Sequence, residues 1–185
     1  MKPYSLSGNL LLAMPGIGDT RFDKSVMALC SHDEEGALGI GIGHHLAGVT
    51  LHRLLEQFDV DLDKVPDGPI YDGGPVDPDR GFVLHSLDWR IPATEPTLNL
   101  WGMTATIDIL RVIGTPQGPR KWLVALGYAG WEVGQLDAEM TRHGWHLAEA
   151  NERMVFDLPV ERRWDEAFRS TGIDPRLLAS ESGHA

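Results

Sequence analysis

The chain predicts an α+β, or mixed α/β, fold in a single compact domain over residues 1–185, and three observations carry the prediction. Its 185 residues suit one core. With 42% hydrophobic and 23% charged residues the composition is that of a globular chain. An early hairpin followed by irregular strand–helix units departs from a regular parallel repeat.

The elements follow in order. Asn9–Met14 is a short apolar run stopped by Pro15-Gly16, the signature of a buried strand. Ser25–Ser31 and Ala37–Ile42 flank Glu34-Glu35-Gly36 and predict a hairpin. Gly39, Gly41 and Gly43 alternate with Ile40 and Ile42, so one face of that strand is bare and must receive another backbone or a ligand. Thr50–Phe58 places Leu51, Leu54, Leu55 and Phe58 at helical spacing with Thr50 as N-cap. Asp59–Gly68 is an acidic loop, and Tyr71–Val76 is turn-rich. Gly81–Ser86 and Leu98–Trp101 are expected strands, and Thr106–Val112 a short helix ended by Gly114 and Pro116.

Trp122–Leu126 reads as the central strand, running into a Gly127–Gly130 loop that opens a helix over Trp131–Arg142. Trp145–Ala148 and Met154–Phe156 are expected as short strands. Pro159–Ser170 is a helix with Pro159 in its first turn and Gly172 after its end, and Asp174–Ala179 a terminal helical turn.

Charge narrows the partners. Sixteen Lys and Arg stand against 27 Asp and Glu, a net charge of −11, and no basic stripe emerges. Phosphate neutralisation needs clustered cations, so direct nucleic-acid binding is disfavoured. The N-terminus lacks a signal-peptide pattern and no run reaches the ~18–20 apolar residues of a membrane span, so a cytoplasmic location away from membranes is expected. Cys30 is the single cysteine. In a strand it shares a face with His32, which admits a thiol–base pair, but a free Cys more often fills space as a small hydrophobe.

The motifs for chemistry are weak. Gly39-Ile40-Gly41-Ile42-Gly43-His44 evokes a dinucleotide fingerprint, yet its glycines lie inside a strand rather than opening a helix. No phosphate loop or nucleophile elbow is present, which leaves no cofactor expected. His44, His45, His52, His143 and His146 include close pairs without the spacing of a metal motif, so no metal site is expected. A sharper constellation is a small anionic site built by Arg80, His85, Gly127, Gly130 and Gln135, with backbone N–H groups at a helix start and Arg80 as a bidentate donor. The competing reading, which the sequence favours, is that these glycines permit tight turns and close packing, with Trp131 in the core.

These segments resemble the AlgH/YqgE family of bacterial proteins. The residues concerned are Gly8–Pro15, Asp19 and Phe22, Ser25-Val26, Gly36-Ala37-Leu38-Gly39, Gly73-Gly74-Pro75-Val76 and Arg80–His85. Leu126–Trp131, Gly134-Gln135-Leu136, Trp145 and Gly183-His184-Ala185 complete the set. The resemblance implies a bifurcated mixed sheet curled into a pseudo-barrel with flanking helices. It supplies no catalytic residues, since members are labelled transcriptional regulators or carry no assigned activity. The family's Ile-Asn-Lys-Pro segment is Ile42-Gly43-His44-His45 here, so any contact made by that Asn-Lys pair is altered.

The function expected is that of a non-enzymatic binding or regulatory protein acting through protein partners. One alternative is a sensor of, or enzyme for, a small anionic ligand at the Arg80/His85/Gly127–Gly130 surface. A second is a DNA-binding transcriptional regulator, which the charge opposes.

Overall fold

A computed structural model describes residues 5–16, 22–98 and 100–178. Asp19, Ala179 and the closing Gly183-His184-Ala185 lie outside the described residues. Strand β1 (Asn9–Ala13) is buried from Leu10 to Ala13, as an apolar run covered on both faces must be. Its alternation divides two cores, Leu10 and Leu12 facing one and Leu11 and Ala13 the other. β2 (Val26–Asp33) and β3 (Gly36–Gly41) form the expected hairpin, with a bulge between Leu29 and Ser31. β10 (Trp145–Glu149) lies antiparallel on the other side of β1.

The sheet forks on β9 (Trp122–Trp131). One edge of β9 is covered by β6 (Val76–His85). The other edge is shared: β5 (Pro69–Asp72) runs parallel to it at Ala125 and Leu126, while β3 runs antiparallel to it from Ala129 to Trp131. The expected loop at Gly127–Gly130 is therefore strand. Local glycine content suggests a loop, but partners distant in sequence supply the ladder.

The glycine-rich motifs explain themselves at this fork. A Cβ on Gly41 would strike the Asp72 carbonyl oxygen, one on Gly73 the Gly127 carbonyl oxygen, and one on Gly127 the Gly74 carbonyl oxygen. Gly127 also takes φ of +74°, which kinks β9 where its partner changes. Gly41 donates its N–H to the Gly73 oxygen at 2.8 Å and Gly73 to the Leu126 oxygen at 2.9 Å, knitting the three strands together. The bare face of β3 thus receives backbone at Gly41. At Gly39 it receives the Trp131 ring, 3.2 Å from where a Cβ would stand.

β8 (Trp101–Thr104) pairs with β6, and β7 (Glu95–Thr97) closes that side. The main path runs β10-β1-β2-β3-β9-β6-β8-β7. Alternate residues of these strands, from Leu10 and Val26 to Leu84 and Met103, converge on one core with Trp164 and Phe168 of α4 (Val160–Ser170). Strands that share one core must curl round it, so the sheet is a half-barrel plugged by α4. Arg163 of α4 is fully buried, donates to the carbonyls of Ile42 and Leu158, and sits 5.2 Å from the centre of the Tyr71 ring. A third cluster joins α1 (Leu51–Leu55) and α2 (Ile107–Leu110) to Ile70, Val83 and Val124.

Several expectations are corrected. The helix expected over Trp131–Arg142 begins later, as α3 (Gln135–Thr141), because β9 extends to Trp131. The strand expected at Leu98–Trp101 straddles the turn of the β7–β8 hairpin, where Leu100 donates to the Thr97 oxygen at 2.9 Å. Met154–Phe156 is not a strand but part of a π-helical turn, Arg153–Asp157. Asn151 Oδ1 accepts from Met154 N at its start, and Leu158 N reaches the Arg153 oxygen at 3.0 Å across its end. β4 (His45–Thr50), a strand the sequence pattern did not reveal, pairs with β5 and leads into α1, whose cap is Thr50 as expected. The final helical turn is α5 (Pro175–Leu178).

Candidate functional site

The fold disperses the five residues expected to share an anion site. Arg80 lies on the irregular stretch of β6 between Val76 and Gly81, exposed, with its guanidinium 5.1 Å from the centre of the Phe82 ring. It lines a cavity of about 300 Å³ with Glu95 and Tyr128. His85 is fully buried at the end of the same strand. Its Nδ1 donates to the Ser86 carbonyl at 3.0 Å, which leaves Nε2 to accept from the Thr104 hydroxyl at 2.9 Å. Burial lowers its pKa, favouring the neutral ring. Gly127 is consumed by the fork. Only Gly130 and Gln135 come together.

They meet in a cleft of about 380 Å³ between α3 and the turn that enters β6. Its floor is aromatic: Trp131 and Trp145 stand edge to face with centroids 5.9 Å apart, and Phe22 meets Trp145 at 5.7 Å. One carboxylate pins both indoles. Glu139 Oε2 accepts from Trp131 Nε1 at 2.9 Å and Trp145 Nε1 at 2.8 Å, while Oε1 accepts from Gln135 Nε2 at 2.9 Å. Gln135 Oε1 accepts from Glu132 N at 2.9 Å and so closes the turn that leads into α3. Arg142 stands at the rim, exposed, and its guanidinium has no carboxylate partner among the described residues.

Gln135, Glu139 and Arg142 are spaced i, i+4, i+7 and share one face of the helical segment, about a quarter turn from the buried Leu136. That spacing was the signal for Glu139 and Arg142, which motif reasoning missed. A second cleft of about 250 Å³ shares Phe22 and Pro75 with the first and continues past Gly74 and Asp72 to His44. Together they make an elongated apolar trench beside the fork.

The other candidates for chemistry have structural partners. Cys30 is half-buried, and burial pushes its thiol up to about 12. His32 does not serve it, because His32 Nδ1 accepts from Leu6 N at 3.1 Å. His44 Nε2 donates to the Asp23 carbonyl at 2.8 Å and His52 Nε2 to the Val65 carbonyl at 2.6 Å. His146 stacks on Phe168 with centroids 5.1 Å apart and bonds the Thr171 hydroxyl at 3.0 Å.

The molecule has known relatives. A family model described as AlgH-like matches residues 10–176. A UPF0301 protein of Rhizorhabdus wittichii is 57% identical over 183 residues, covering 99% of this chain and 98% of the relative. A second, from Sphingopyxis alaskensis, is 50% identical with the same coverage. The solution structure of the AlgH protein from Pseudomonas aeruginosa matches with a TM-score of 0.77 and 38% identity, covering 100% of this chain and 98% of that one. A crystal structure of a Corynebacterium diphtheriae protein, 18% identical, shares the fold with a TM-score of 0.75 over 97% of this chain and 94% of that one. With a matching model over most of its length and relatives this similar, the chain belongs to the AlgH-like family.

Proposed function

We propose that this chain is a non-enzymatic binding protein that acts through protein partners, and that the Trp131–Trp145 cleft is where a partner docks. The observation that carries the reading is the aromatic floor opening at the surface beside an exposed guanidinium that forms no ion pair among the described residues. Aromatic and Arg side chains are the residue types that concentrate binding energy at interfaces. The nucleophile and base candidates weigh toward binding over catalysis, since Cys30, His32 and His85 are each held in structural bonds.

A small anionic ligand is the second reading, favoured by one observation. The cleft volume falls within the ~300–1,000 Å³ of small-molecule sites, and Gly130, Gln135 and Arg142 line it. Direct contact with DNA has least support at a net charge of −11. No helix among the described residues is long and apolar enough to cross a membrane. Action in the cytosol is part of the proposal.

The test is photocrosslinking in the host cell. Val133, 70% exposed beside the cleft, takes the crosslinking residue, and the exposed Asp63, in the turn Leu62–Lys64 and not among the residues lining the cleft, takes the control. Discrete protein adducts from Val133 alone are expected. Identical adducts from both positions, or none from either, would overturn the reading.

A further inference from the structure

Resting on the reading of the cleft as a docking site, we infer the chemistry of its occupant: a partner segment that lays an apolar side chain on Trp131 and Trp145 and sets a carboxylate on Arg142.

The floor selects an apolar group because it has no donor left to offer. Both indole N–H groups are spent on Glu139 Oε2, at 2.9 and 2.8 Å, so an occupant meets ring surface alone. A polar side chain placed there would lose its water without gaining a partner, so the floor disfavours it.

Charge selects the neighbouring group. Among the described residues Glu139 is the one acid lining the cleft, and its oxygens are engaged by the indoles and by Gln135. Among the described residues Arg142 is the one cation lining it, and it forms no ion pair with a carboxylate there. A basic segment would confront that guanidinium with no acceptor to answer it. An acidic one completes a charge-assisted pair, and Arg matches a carboxylate in a bidentate geometry. The overall charge of −11 does not reverse this preference, because charges beyond a Debye length of about 8–10 Å are screened while Arg142 is in contact.

Shape selects an extended chain over a compact molecule. The cleft opens past Phe22 and Pro75 into the second space beside Gly74, so an occupant anchored on the two indoles continues along the trench.

The experiment selects random displayed peptides on the full chain and maps the winners by the indole N–H resonances of Trp131 and Trp145. The expected winners carry Asp or Glu next to an aromatic or branched apolar residue, move both indole signals, and bind Arg142→Ala about tenfold more weakly. Selection on Arg142→Glu should exchange the acids for Lys or Arg, and unchanged melting of both variants excludes misfolding. Winners that move the indoles without an acid, or ignore Arg142→Ala, overturn the inferred chemistry while the docking cleft stands. Winners that leave the indoles unmoved overturn the cleft as well. Indole-3-acetate binding as tightly as the best peptide would make the occupant a small acid and overturn the inference. Self-association abolished by Arg142→Glu would make it a second copy, with the same consequence.

Discussion

Removing the carboxylate that holds the cleft together gives a prediction with a magnitude. Glu139→Ala strips the acceptor from two indoles that are only 7% and 5% exposed, Trp131 and Trp145. Each buried donor left unpaired costs about 1–3 kcal/mol, and hydrogen bonds to a charged acceptor lie toward the upper end. The cleft is open, so water reaches the vacated space and offsets part of the loss. The sum expected is about 2–4 kcal/mol. In a chain of this size 1 kcal/mol moves Tm by roughly 2–4 °C, so melting followed by circular dichroism should fall by about 5–15 °C. Glu139→Gln keeps one oxygen for the indoles and should lose under about half as much. Both indole N–H resonances should shift and exchange faster with solvent. A Glu139→Ala melt within about 1 °C of the parent would show that the carboxylate does not organise the cleft.

Four further outcomes follow from the fold. Gly73→Ala drives a methyl into the Gly127 carbonyl and should cost about 3 kcal/mol or more, whereas Gly134→Ala, with open space at its Cβ and φ of +70°, should cost only about 1–2 kcal/mol; equal urea midpoints would contradict the fork. Arg163→Met strands the carbonyls of Ile42 and Leu158 and should destabilise by about 2–4 kcal/mol, measured by the same midpoints; a neutral result would remove Arg163 as the tie between α4 and β3. Burial lowers the pKa of both His85 and His146 below the ordinary 6.5. The unfolded chain therefore binds more protons in that window, so their contribution is complete above 6.5 and is lost as pH falls below it. His85→Asn should flatten that slope in urea titrations, and an unchanged slope would place its origin elsewhere. Cys30, with its thiol held at about 12, should resist iodoacetamide until the chain is unfolded, and fast native alkylation would refute the burial argument.

Local patterns announced much of the fold. β1, the β2–β3 hairpin and α4 are legible because their apolar periods and their breakers sit next to one another in sequence. The fork was not legible, since Gly127–Gly130 has the composition of a loop and becomes strand only through β3 and β6, which lie far away in the chain. The bare face of β3 was foreseen, but its filler was not: Trp131 stands about ninety residues downstream and Asp72 about thirty.

The site divides the same way. Gly130 and Gln135 reach the cleft because β9 and the start of α3 carry them together. Arg80 and His85 part company because they stand five residues apart on β6, which puts Arg80 on the Phe82 face and His85 on the other, where it bonds Thr104 of β8. Glu139 and Arg142 follow from helical spacing alone, once α3 is known to begin at Gln135 rather than at Trp131.

The central claim is that this cleft docks a protein partner. The most direct measurement is crosslinking from Val133 in the host cell, compared between the parent chain and Arg142→Glu at matched abundance. The account predicts a discrete protein adduct that Arg142→Glu abolishes while its melting is unchanged. An adduct of undiminished yield in Arg142→Glu, or no adduct from the parent chain, would contradict it.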